Sequence, residues 1–121
     1  MDSSYVFLNI SRKKVNNSRI ETLKQYMLDE PNDPFNLYAL ATEYVQEEPL
    51  TALGYFEQLL EKHPDYLGTY YHAGKLYQAF QQTEKAKIIL EKGIALAFKQ
   101  QKAKALNELR SALNEILDEE M

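Results

Sequence analysis

The chain has no cysteine and no tryptophan, and among its 121 residues it carries only two histidines, four glycines and four prolines. Without thiols it can form no disulfide, no thiolate metal site and no cysteine nucleophile. Two histidines would leave any metal centre to carboxylates, so neither a metal nor a cofactor is expected. The missing cysteines are compatible with a reducing compartment, and a cytoplasmic location is expected. So few glycines and prolines supply little material for the tight turns of an all-β fold, which predicts a mostly helical chain. No apolar run approaches the roughly 18 residues that cross a bilayer, so no membrane partner is expected. A net charge of −4 and a pI near 5.2 offer no general attraction to phosphate backbones, which makes nucleic acid a poor partner. What the chain does have is 45% hydrophobic residues, normal for a globular protein, in a length that suits one domain.

The charge is unevenly spread. Residues 1–20 carry +3, residues 21–64 carry −7, residues 85–110 carry +5 and the last eleven carry −4. Such runs are usually solvated helix faces, although an acidic first half and a basic third quarter could also attract each other between chains. Residues 1–17 lack helical periodicity and are expected to form a disordered leader. Their apolar piece, Tyr5 to Ile10, is too short for a secretion signal, and Arg12-Lys13-Lys14 follows it where such a signal needs the charge first.

From residue 18 onward the punctuation reads as six antiparallel helices. Ser18-Arg19-Ile20-Glu21 has the form of a capping box opening a helix of about 19–29 that stops before Pro31. Asp33-Pro34 starts a second, through about Gln46. Pro49 starts a third, with Leu50, Leu53, Phe56, Leu59 and Leu60 on one face, ending at His63-Pro64. Asp65 is expected to cap a fourth helix through about Phe80, and Thr83 a fifth. No Gly or Pro marks the boundary between the fifth helix and a sixth at about 103–119, which repeats Leu106, Leu109, Leu113, Ile116 and Leu117.

Sliding the chain on itself by about 33 residues brings Pro31 onto Pro64, Tyr38 onto Tyr71 and Tyr44 onto Tyr77. After one extra residue, Ala52 falls on Ala86, Phe56 on Leu90 and Leu60 on Ile94. A period near 34 with two helices per repeat marks a helical solenoid. The segment Tyr70-Tyr71-His72-Ala73-Gly74-Lys75-Leu76-Tyr77, followed by Ala86 and Leu90, resembles the tetratricopeptide repeat family, with Tyr70 in the place of its tryptophan. A looser copy runs through Leu37, Leu40, Ala41, Tyr44, Ala52, Phe56 and Pro64. The resemblance implies an all-α, right-handed helical-repeat solenoid. Its parts would be a half repeat at 18–31, repeats at 33–64 and 65–98, and a capping helix at 103–119. Small residues at Ala41, Gly74, Ala52, Ala86 and Gly93 would let helices approach, and Tyr44, Tyr77, Phe56 and Leu90 would fill the space between them.

No catalytic constellation is visible. His63 and His72 stand nine residues apart across a proline turn, which is no ligand spacing, and the chain has neither phosphate-loop glycines nor a nucleophile elbow. Of nine tyrosines, seven fall between residues 38 and 77. Tyr44, Tyr70 and Tyr77 belong to the repeat stripe, but Tyr38 and Tyr71 lie off it. Phe35, Tyr38 and Thr42 form one line at helical spacing, and Tyr71, Lys75 and Gln78 form another. In the family the first helix of each repeat lines a concave groove that holds extended peptides, so the resemblance implies a partner-binding groove at these six residues. Tyr38 and Tyr71 could instead stack between adjacent repeats. The clamp by which some members hold acidic C-terminal tails is not matched, since Thr42 and Lys75 occupy its sites without the asparagines. The implied function is non-catalytic binding of a protein or peptide; a homodimeric, self-associating module is the alternative.

Overall fold

A computed structural model describes residues 16–121, and they form six helices and no strand. The helices are α1 (Asn17–Asp29), α2 (Pro34–Tyr44), α3 (Pro49–Lys62), α4 (Gly68–Ala79), α5 (Thr83–Lys99) and α6 (Ala103–Glu119). The all-α expectation holds. The repeat is legible in the backbone, because Pro34 and Gly68 open α2 and α4 34 residues apart, as Pro49 and Thr83 open α3 and α5. Burial repeats with it: Ala52 and Ala86, and Phe56 and Leu90, are all 0% exposed. Backbone contacts cluster into two units that divide inside α3, between Tyr55 and Phe56.

In the first unit α1 packs on α2 through Ile20, Leu23, Ala39 and Leu40, with Met27, Tyr44 and Tyr55 against them. Tyr44 and Tyr55 stack at 5.9 Å. The Asn36 side chain, itself buried, donates to the Tyr26 carbonyl at 3.4 Å, which gives the buried amide a partner; the same carbonyl accepts the Glu30 N–H at 2.8 Å. Asp33 caps α2 as expected, its Oδ1 accepting from the Phe35 N–H at 2.9 Å. The capping box at Ser18 and Glu21 does not form. Asn16, an equally good cap, takes the Arg19 N–H at 3.1 Å, starting the helix earlier and placing Ser18 inside the first turn. Asn17 is therefore helical, and the rest of the expected disordered leader, residues 1–15, lies outside the described residues.

In the second unit α5 packs on α4, and α6 packs on both. The close approach depends on glycine at two places. A Cβ on Gly74 would lie 2.5 and 2.6 Å from Cδ2 and Cγ of Leu90, and one on Gly93 would lie 2.6 Å from Cβ of Tyr70. Both glycines thus sit where a neighbouring large side chain fills the space that a side chain of their own would need. From α6, Leu109, Ala112 and Ile116 complete the core. Tyr70 is buried and donates its hydroxyl to the Pro64 carbonyl at 2.6 Å, fixing the turn before α4.

Two expected caps are absent here. α4 starts at Gly68, three residues beyond Asp65, without a side-chain cap; the Asp65 carbonyl instead accepts from Gln100 Nε2 at 2.9 Å. Thr83 is the first residue of α5 and not its cap. Gln82 takes the cap position because its N–H is already committed to the Tyr77 carbonyl at 2.8 Å, alongside a Gln81 N–H bond to Gln78. The same pair of bonds closes α5, from Lys102 N–H to Ala97 and from Gln101 N–H to Phe98. Both are Schellman stops, and both place a glutamine in the left-handed region, Gln81 at φ 61° and Gln101 at φ 59°. Glycine normally occupies that site, since a Cβ there costs about 1–2 kcal/mol. Gln101→Gly should therefore stabilise the chain by about 0.5–1 kcal/mol in urea denaturation, after the added freedom of the unfolded chain is deducted. A destabilised variant would count against the strain.

Candidate functional site

Tyr71, Lys75 and Gln78, expected to share a face of α4, are all half-buried. α6 borders that face. A recess of about 240 Å³ is lined by Tyr71 together with Asn107, Glu108, Ser111, Ala112 and Glu115. Lys75 Nζ pairs with Glu115 Oε2 at 3.1 Å, with the two side chains 39% and 59% exposed. A pair so accessible contributes about 0–1 kcal/mol, so it fixes local charge more than stability. It also sets the charge of this face: Lys75 is neutralised by Glu115, and Glu108 makes no ion pair among the described residues.

The α6 residues went unread. Asn107, Ser111 and Glu115 recur at spacing four on the side of the helix away from its apolar stripe, a signal that was available. Nothing local, however, tells a polar stripe bordering a recess from a solvated one. In the first unit Phe35 is 55% exposed and Tyr38 and Thr42 are half-buried. Burial raises the Tyr38 phenol above its usual range. The Thr42 hydroxyl donates to the Ala39 carbonyl at 2.8 Å, which leaves its oxygen able to accept.

Two titratable groups of α4 lie off the Tyr71, Lys75 and Gln78 line. Tyr77 donates its hydroxyl to Glu57 Oε2 at 2.7 Å. Burial first, and then the bond to Glu57 and its charge, push the phenol up to about 12. The His72 ring lies parallel to Phe56 at 5.3 Å with Tyr71 edge-on at 5.8 Å, and burial holds its imidazole below the usual 6.5. The folded chain therefore favours neutral His72. The stability that this contributes is fully present above about pH 6.5 and is lost as pH falls through the lowered value. Between about pH 7 and pH 5.5, above the carboxylate range, the melting temperature should fall more steeply than that of His72→Phe. Equal slopes would assign the titration elsewhere.

Among the described residues no helix is long and apolar enough to cross a membrane. A search of curated proteins finds no match. Among solved structures, the chain resembles a tetratricopeptide repeat domain protein from Salinibacter ruber. Against its crystal structure the identity is 41% over 71% of this chain and 97% of that one, with a TM-score of 0.69. Against its solution structure the identity is 42% over 72% and 89%, with a TM-score of 0.67. MamA shares the fold, at 19% identity over 86% of this chain and 68% of that one, with a TM-score of 0.59. The tetratricopeptide repeat family model matches residues 46–109. With that match over more than half its length and a 41% identical relative covered almost end to end, the chain belongs to the tetratricopeptide repeat family.

Proposed function

We propose that this chain binds an extended segment of a protein partner on the faces that its first-of-pair helices leave open, and that it carries out no catalysis. The family is in general a protein-interaction fold, and members act by holding partners rather than by chemistry. One observation carries the reading here. In the second unit Tyr71 stands half-buried at a recess bordered by two helices, with polar side chains around it. Tyrosine gives contact area at low entropic cost, and neighbouring amides and hydroxyls can pair with a peptide backbone. Phe35, Tyr38 and Thr42 offer the corresponding face in the first unit. The cysteine-free composition is compatible with action in the cytoplasm.

Immobilised chain and its Tyr71→Ala variant should differ in the proteins they capture from native lysate while melting within a few degrees of each other. Identical capture would remove Tyr71 from the interface. A second reading, self-association, is favoured by Ile88 and Phe98 on α5, which are 50% and 72% exposed. Light scattering over a concentration series separates the two: a constant monomer mass excludes it.

A further inference from the structure

We infer that the recess between α4 and α6 receives a lysine or arginine side chain, so that the segment bound by the second unit is basic. The inference rests on the interaction reading above and names its partner chemistry. At about 240 Å³ the recess lies below the range of small-molecule sites, which suits a side chain of a partner better than a drug-sized ligand. Its walls match a cation. Tyr71 supplies an aromatic surface, to which ammonium and guanidinium groups are drawn. Glu108 and Glu115 supply two carboxylates, of which Glu108 has no ion pair among the described residues and Glu115 has Lys75 at 3.1 Å.

The molecule carries its own example of the occupant, since Lys75 already sets an ammonium against one of the two acids. Asn107 and Ser111 stand beside them with donors and acceptors for the backbone of an extended chain. Within the recess an acidic segment would meet two carboxylates, with Lys75 engaged by Glu115 and Lys102 and Lys104 lining the adjoining recess that Glu108 shares; like-charge repulsion disfavours it there.

This arrangement gives Lys75 an unusual sign: it competes with the incoming cation for Glu115. The test titrates the isotope-labelled full chain with three short Gly-Ser peptides, one carrying arginines, one carrying glutamates and one uncharged, followed by NMR shifts of Tyr71 and Ser111. The arginine peptide should bind best. Lys75→Met should tighten it and Glu108→Gln weaken it, each by about two- to fivefold, the size of an exposed charge pair. Preference for the glutamate peptide, or weaker arginine-peptide binding in Lys75→Met, overturns the basic-segment inference and leaves the interaction face standing. Equal binding of all three does the same. Binding of none of them removes the face itself, and the inference with it.

Discussion

A chain ending at Gln101 should fail to fold its second unit. The missing helix contributes Leu109 and Ile116, each 1% exposed, and Ala112 at 3%, with Leu106 and Leu113 half-buried. A fully buried large aliphatic contributes about 1.5–3 kcal/mol and a half-buried one less, so α6 supplies roughly 5–8 kcal/mol. Whole domains are stable by about 5–15 kcal/mol. Removal would also uncover the apolar surface of α4 and α5 that α6 covers, and repeat arrays without a terminal cap lose solubility for that reason. The expected product is aggregated or lacks a cooperative thermal transition. A soluble fragment melting within a few degrees of the full chain would show that α6 is dispensable.

The second large effect lies at Leu90, which is 0% exposed. Leu90→Ala should cost about 2–5 kcal/mol, combining lost burial with the cavity left behind. Gly74→Ala should also destabilise. The new methyl would lie 2.5 Å from Cδ2 and 2.6 Å from Cγ of Leu90, and overpacking of that kind costs about 1–3 kcal/mol. The gain of about 1 kcal/mol from replacing a mid-helix glycine offsets only part of that cost.

How much of this was legible in the sequence follows from where the signals are local. Pro31, Pro49 and Pro64 and the capping Asp33 place their helix boundaries because each acts within one turn. That Gly74 and Gly93 mark close approaches and that Leu90 fills such a space was readable because small and large residues recur at the repeat period. Which residues meet, Gly74 with Leu90 and Gly93 with Tyr70, was not, because nothing local pairs positions on different helices. The stop between α5 and α6 was not marked by any glycine, because Gln101 takes the left-handed conformation itself. Asp65 has the composition of a cap, but the turn through His63 and Tyr66 uses up the residues before Gly68. The face bearing Tyr71, Lys75 and Gln78 followed from spacing on one helix. Its charge did not, because Glu115 is 40 residues from Lys75 and no periodicity links them.

The central claim is that small residues of one helix nest against large residues of the next at the repeat spacing. Urea denaturation of the wild type, Gly74→Ala, Leu90→Ala and the double variant tests it most directly. Leu90→Ala removes the atoms that the new methyl would strike, so Gly74→Ala should destabilise the wild type but stabilise the Leu90→Ala background by about 1 kcal/mol, the bare helix-propensity gain. An equal cost in both backgrounds would show that the two positions do not touch, and the nesting would be wrong.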